Sequence, residues 1–320
     1  MRSSTFDLCN RGHACLAYPL EFSLPPAQPD LFHPKLTRRK FLYTGLFAAA
    51  GASAFVDGFV ESYRPHLVKL EISLARLPEA FDGFTIAQLS DFHYEEHFSV
   101  VPIRKAVEIA NALKPDLIAL TGDFVTVPMF GGRSSKIEAA NCAAPCAEIL
   151  HALQAPMGKF AILGNHDAQA GSTRITGMLR DHGIPILRNR ALPLERDTDR
   201  LWLIGVDDAL RGEPDLGAAI RHIPDNDRRI LLAHEPDFAD ESSLLPIDLQ
   251  LSGHSHGGQI WIPGIGAPWL PPLSRKYPRG LYKVGNLTLY TNIGIGTIRA
   301  PIRINCPPEI TLLTLRVPRR

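Results

Sequence analysis

At 320 residues, with 45% hydrophobic and 21% charged residues, the chain has the size and composition of a folded protein with a sizeable core. Its 34 basic and 33 acidic residues leave a net charge of +1, and no basic run exceeds Arg38-Arg39-Lys40, which argues against a nucleic-acid polymer as partner. Five cysteines with no CxxC pair exclude a complete disulfide framework and argue against a thiolate zinc site.

In chain order, residues 1–36 are polar and punctuated by Pro19, Pro25, Pro26, Pro29 and Pro34, and are expected to form a disordered N-terminal extension. Residues 37–60 contain Thr37-Arg38-Arg39-Lys40-Phe41-Leu42 and then an uncharged stretch, 41–56, rich in Ala and Gly. A stable membrane span needs roughly 20 apolar residues, so this shorter stretch reads as a signal segment or an uncleaved anchor, with Ala52-Ser53-Ala54 as a cleavage site. The Arg pair followed by Phe-Leu resembles a twin-arginine signal. That resemblance implies the twin-arginine export machinery as a partner and a periplasmic, extracytoplasmic or membrane-anchored location. The competing reading is a buried N-terminal helix with a chance Arg pair.

Residues 61–320 show the pattern of one α/β catalytic domain without internal repeat or linker. Strands are expected at 67–74, 84–89, 117–120, 159–163, 201–206, 229–232, 248–251, 287–290 and 310–315, and helices at 103–113, 144–153 and 175–182. Cys142 and Cys146, four apart in a helical stretch, read as separate small apolar residues, with a bridge as the alternative in an oxidising compartment. Five strands run into Asp, Asn or His beside Gly-rich or polar loops, at Asp91, Asp123, Asn165, His234 and His254. Ligands of α/β sheets bind beyond the carboxyl ends of strands, and these residue types gathered there have little packing value.

Singly the motifs are weak, since a D-x-H such as Asp91-Phe92-His93 often arises by chance. In sequence order, Asp91-Phe92-His93, Gly122-Asp123, Gly164-Asn165-His166-Asp167, His234 and Gly253-His254-Ser255-His256 resemble the calcineurin-like metallophosphoesterases over about residues 65–320. Within that superfamily, 86–93, 232–237, 254–259 and 305–310 are most similar to a bacterial twin-arginine-exported phosphodiesterase branch. The resemblance implies a four-layer αββα sandwich and a metal-dependent hydrolase that cleaves a phosphodiester or pyrophosphate with a metal-bridging hydroxide. It implies two divalent ions, manganese first, with iron or zinc as alternatives. Asp91, His93, Asp123 and His256 would hold one; Asp123, Asn165, His234 and His254 would hold the other, so that Asp123 bridges. Nitrogen and oxygen donors without thiolate agree with those metals. His166 belongs to the motif without being a ligand and is the catalytic candidate, protonating the leaving group. The narrower alternative is a lipid-directed pyrophosphatase, such as a UDP-2,3-diacylglucosamine hydrolase of lipid A synthesis. A non-catalytic metal-binding relative is the alternative from another class, and the complete ligand set argues against it.

The chain departs from the protein phosphatases of that superfamily, which place an acid and then an arginine shortly after G-D, the acid orienting the catalytic His. Here Thr126 stands where the acid would be and no arginine follows within 122–128, which favours diesters or pyrophosphates over doubly charged monoesters and leaves open what orients His166. Asp237, three residues after His234, and Asp207-Asp208 are candidates for supporting the site from behind. His97, Glu95 and Glu96 read as solvated surface. Trp261, Trp269 and Arg275 lie in an apolar and basic segment after the last His pair, and are candidates for binding a lipid portion of the substrate. The alternative there is a proline-stiffened loop packed on the body.

Overall fold

Short apolar runs bounded by polar turns become eleven strands among the described residues, which in this computed structural model are 37–128, 130 and 132–318. The N-terminal extension, with Cys9 and Cys15, lies outside the described residues. In chain order the strands are β1 (His66–Ser73), β2 (Thr85–Leu89), β3 (Leu117–Leu120), β4 (Lys159–Ala161), β5 (Arg190–Arg196), β6 (Asp199–Gly205), β7 (Arg228–Leu232), β8 (Leu249–Ser252), β9 (Gly280–Val284), β10 (Leu287–Thr291) and β11 (Glu309–Arg316). They form one sheet of order β1-β11-β2-β3-β4 and another of order β5-β6-β7-β8-β10-β9. Within each, the pairs that bring the site together, β2–β3, β3–β4, β7–β8 and β8–β10, are parallel.

The sheets face each other through Ile86, Leu117, Ala119 and Leu313 on one side and Leu201, Leu203, Ile230 and Leu251 on the other. Burying each such side chain stabilises by roughly 1.5–3 kcal/mol. The alternate residues of the same strands point outward and carry helices. Leu89, Ile118 and Leu120 pack under α2 (Val100–Leu113), α4 (Ala143–His151) and α5 (Asn165–Asp181). Ile204, Leu231 and Leu289 pack with Leu216 of α6 (Leu216–Ile220) and Ala239 of α7 (Ala239–Ser242). The layers are helix, sheet, sheet, helix, as expected from the sequence.

Two differences have physical causes. Helix α5 begins ten residues before the expected start, because Asn165 to Ala170 is polar helix joined to the amphipathic part across Gly171 at φ 135°. The edge strands β5 and β9 went unread because their exposed, charged residues carry little apolar signal. Cys142 and Cys146 are both free thiols, in agreement with their reading as separate residues. A further short helix, α3 (Arg133–Asn141), exposes mostly polar residues and buries Ala139 and Ala140.

Helix α1 (Arg38–Glu61) spans 24 residues, because helical backbone continues past Asp57, and by length and composition it could cross a membrane. Phe41, Leu42, Leu46 and Phe47 are exposed along it. The unit formed by residues 49–320 includes its last turn. There the Arg303 N–H donates to the Gly58 carbonyl, and the Asn305 and Cys306 N–H groups donate to the Glu61 carboxylate.

Candidate metal centre

Parallel pairing continues past the strand ends and fixes the first half of the site. The Asp91 N–H donates to the Gly122 carbonyl, and the His93 and Tyr94 N–H groups donate to the Asp123 and Phe124 carbonyls. Asp167 ties in the next loop: its carboxylate accepts the N–H groups of Phe124 at 2.9 Å, Val125 at 3.2 Å and Gly164 at 3.0 Å, so Asn165 and His166 start α5 beside Asp123. The second sheet supplies the other half, where the Gly253 N–H donates to the His234 carbonyl. Gly253 must be glycine, since a Cβ would stand 2.3 Å from Asp91 Oδ2. Across the gap, the His254 N–H donates to the Asp91 carboxylate at 3.0 Å.

Asp91, His93, Asp123, His254 and His256 all hold left-handed backbone, with φ between 43° and 68°. Few non-glycine residues adopt it, and such strain concentrates at functional sites. Their side chains converge. His93 Nε2 and His234 Nε2 lie 3.4 and 3.3 Å from Asp123 Oδ2, and His256 Nε2 lies 3.3 Å from Asp91 Oδ1. The trios Asp91–His93–His256 and Asp123–His234–His254 each bring their donor atoms within 4.8 Å of one another.

The outer nitrogens of the rings have partners that aim the inner ones. His234 Nδ1 donates to the Thr121 carbonyl at 2.6 Å, and His254 Nε2 donates to the Pro272 carbonyl at 2.8 Å. His93 Nδ1 bonds Thr126 Oγ1 at 3.0 Å, so Thr126 serves His93 and not His166. His166 instead takes the Val127 N–H on its Nδ1 at 2.9 Å, which answers what orients it. Partners of this kind fix tautomer and direction in metal-binding histidines.

Electrostatically this cluster calls for a cation. Burial holds the His93 and His254 rings neutral, down to about 3. It pushes the Asp91 carboxyl up to about 6. Burial also opposes a charge on His234, but the Asp123 and Asp91 carboxylates outweigh it and raise that ring well above its ordinary value. Asn165 Oδ1 and His234 Nε2 are buried without a hydrogen-bond partner among the described residues, and His93 Nε2 and His256 Nε2 stand 3.0 Å apart. Leaving such groups unsatisfied costs about 1–3 kcal/mol each, which bound divalent ions would offset. The residues present fit a metal centre.

A cavity of about 870 Å³ opens over these groups and includes His166 and Trp269 in its lining. Trp261 and Arg275 do not line it. Trp261 lies under the Arg279 guanidinium, 4.5 Å from it, and the Arg275 N–H is bound by Asp237. Asp237 collects the N–H groups of Arg275, Lys276 and Tyr277, so it braces that loop and not His234. His97 is exposed, as expected. Sequence reasoning missed Arg211 and Phe98, which also line the cavity, because neither belongs to a motif.

Comparison with known proteins agrees with this geometry. Residues 84–258 match the family model of the calcineurin-like phosphoesterases. The chain is 34% identical over 291 residues to the metallophosphoesterase YkuE of Bacillus subtilis, covering 88% of this chain and 98% of that protein. It is 32% identical over 285 residues to the phosphodiesterase YaeI of Escherichia coli, covering 88% and 99%. It is 30% identical over 293 residues to a zebrafish (Danio rerio) transmembrane protein with a metallophosphoesterase domain, covering 86% of this chain and 63% of that one. The chain is therefore a member of the calcineurin-like phosphoesterase family and a metal-dependent phosphoester hydrolase.

Proposed function

We propose that the protein is a two-metal phosphodiesterase that works outside the cytoplasm or at a membrane. The observation that carries this reading is the convergence of strained, inward-aimed Asp and His side chains on a buried cluster with an unpartnered Asn165 Oδ1. Asp91, His93 and His256 would hold one ion and Asn165, His234 and His254 the other, with Asp123 shared between them. Manganese suits this mixture of nitrogen and oxygen donors, with iron or zinc as alternatives. When bound, two such ions lower the pKa of the attacking water and neutralise charge on the phosphoryl oxygens.

This chain's own residues do the rest. Asp167 holds the loops that carry Asp123 and Asn165 in register. His166 presents Nε2 to the substrate from a ring fixed by Val127. A diester is favoured over a monoester because no arginine lies within 122–128, and the Escherichia coli relative is itself named a phosphodiesterase. A lipid-linked pyrophosphate is the second reading, favoured by Phe98 and Trp269 in the cavity lining and by helix α1. Arg38-Arg39 at the head of that helix supports export by the twin-arginine route. The zebrafish relative's name supports membrane association.

The test is purified protein loaded with manganese, assayed on bis-p-nitrophenyl phosphate, p-nitrophenyl phosphate and a UDP-linked acyl sugar, with metal content measured alongside. The expected result is diester turnover at about two ions per chain. Monoester preference, or full activity with one ion, would overturn it.

A further inference from the structure

The loop from Asp207 to Glu213 forms one wall of the cavity, and its construction is out of proportion to a surface turn. Every backbone N–H from Ala209 to Glu213 is bonded. Ala209 donates to Glu235 Oε2 at 3.0 Å, and Leu210 and Arg211 donate to Asp208 Oδ1 at 3.2 and 2.5 Å. Gly212 donates to the Asp208 carbonyl at 3.0 Å, and Glu213 to Asp207 Oδ2 at 2.9 Å. Asp207 is clamped in turn by Arg188 at 2.7 Å. Gly212 admits no side chain, since a Cβ would stand 2.6 Å from the Asp207 carboxylate.

The three carboxylates that shape the loop, on Asp207, Asp208 and Glu235, are each no more than 2% exposed. Taking a carboxylate out of water costs several kcal/mol before compensation. What this scaffold delivers to the cavity is two side chains, Leu210 and Arg211. The Arg211 guanidinium makes no hydrogen bond or ion pair with a described residue, whereas Arg299, in the same lining, lies over Trp269 at 5.2 Å.

We infer that Arg211 binds a second anionic group of the substrate, beside the phosphate that the metal centre cleaves, and so favours pyrophosphates and phosphorylated diesters over simple diesters. This rests on reading the site as a phosphodiesterase centre. The cavity, at about 870 Å³, is in the range of sites for whole organic ligands and far exceeds one phosphate group. The candidate ligand atoms form a compact cluster at its floor, and the ions they would hold would answer the charge of the cleaved phosphate. Elsewhere Phe98, Trp269 and Ile298 offer apolar surface. An arginine fixed at its backbone presents a planar fork suited to two phosphate oxygens at once.

The test compares wild type with Arg211→Ala and Arg211→Lys on bis-p-nitrophenyl phosphate and on ADP-ribose, a pyrophosphate diester. In Arg211→Ala the ratio of kcat/KM for ADP-ribose to that for bis-p-nitrophenyl phosphate should fall on the order of tenfold to a hundredfold, mainly through KM. Arg211→Lys should recover part of it. Calorimetric binding of α,β-methylene-ADP should weaken on the order of tenfold in Arg211→Ala, a readout independent of turnover. An unchanged ratio with unchanged binding overturns the inference, as does an equal loss on both substrates, which would put Arg211 on the cleaved phosphate. Failure of wild type to cleave either diester overturns the phosphodiesterase reading instead, and the binding measurement then decides Arg211 alone.

Discussion

Val127 donates its backbone N–H to Nδ1 of His166 at 2.9 Å, which leaves the ring proton on Nε2. A ring held this way offers its Nε2–H as a hydrogen-bond donor. His166→Ala should therefore cost on the order of 10²–10³-fold in kcat, as for a single donor to transition-state charge. The loss should be the same for p-nitrophenolate and alkyl leaving groups, with both metals retained. A loss that shrinks with p-nitrophenolate would restore the proton-donor role that the motif suggests.

Thr126→Val removes the hydroxyl that fixes His93 and leaves its shape. Loss of such a partner weakens metal binding about 10–100-fold. Manganese titration of activity should show a higher half-saturation with kcat near wild type at excess metal. An unchanged titration would mean that the 3.0 Å bond contributes nothing.

Asp123→Asn keeps the shape of the side chain proposed to serve both ions and removes its charge. Its carboxyl is pushed up by burial, but the His234 ring beside it overcomes that and holds it well below its usual range. The substitution should abolish turnover and lower bound metal from about two ions toward one or none. Full metal content with normal turnover would refute the bridging role.

Glu309 supplies a pH test away from the metals. It is buried, accepting from Tyr290 and Thr311 hydroxyls at 2.7 Å and from Asn292 at 3.2 Å. Burial raises its carboxyl above the ordinary 4.5. A carboxyl raised on folding contributes stability that is complete below the unfolded pKa and is lost as pH rises through the folded one. Glu309→Gln keeps the accepting oxygen and removes that loss. Its Tm should exceed wild type by about 2–4 °C for each kcal/mol recovered at neutral to alkaline pH, and match it near pH 4. A lower Tm at all pH values would show that the charge itself holds the network.

The candidate ligands were legible because each follows a short apolar run, and a polar residue such as Asp91 or His234 stands out at its end. Their strained φ values were not, since nothing in a D-x-H or G-H-x-H spacing reports backbone angle. The supporting contacts were harder still. Asp237 was misread because proximity in sequence to His234 suggested a contact, while the partner of that ring is Thr121, 113 residues away. Arg211 carried no signal in the sequence, because the carboxylate that binds Ala209 in its loop, on Glu235, comes from beyond another strand. The aromatic lip was half read: Trp269 reaches the cavity, but Trp261 is drawn to Arg279.

Asp91, His93, Asp123 and Asn165 belong to one sheet's strand ends and His234, His254 and His256 to the other's, stitched by the His254 N–H on Asp91. No stretch of unfolded chain resembles this arrangement, so ions would be held only once the two halves have closed. Donor atoms of this kind rank divalent metals in nearly the same order in any protein, and local supply decides among them. The compartment where folding finishes thereby selects the ion. A chain that crosses a membrane already folded carries the cytoplasm's choice with it, and one that folds afterwards takes what the far side offers.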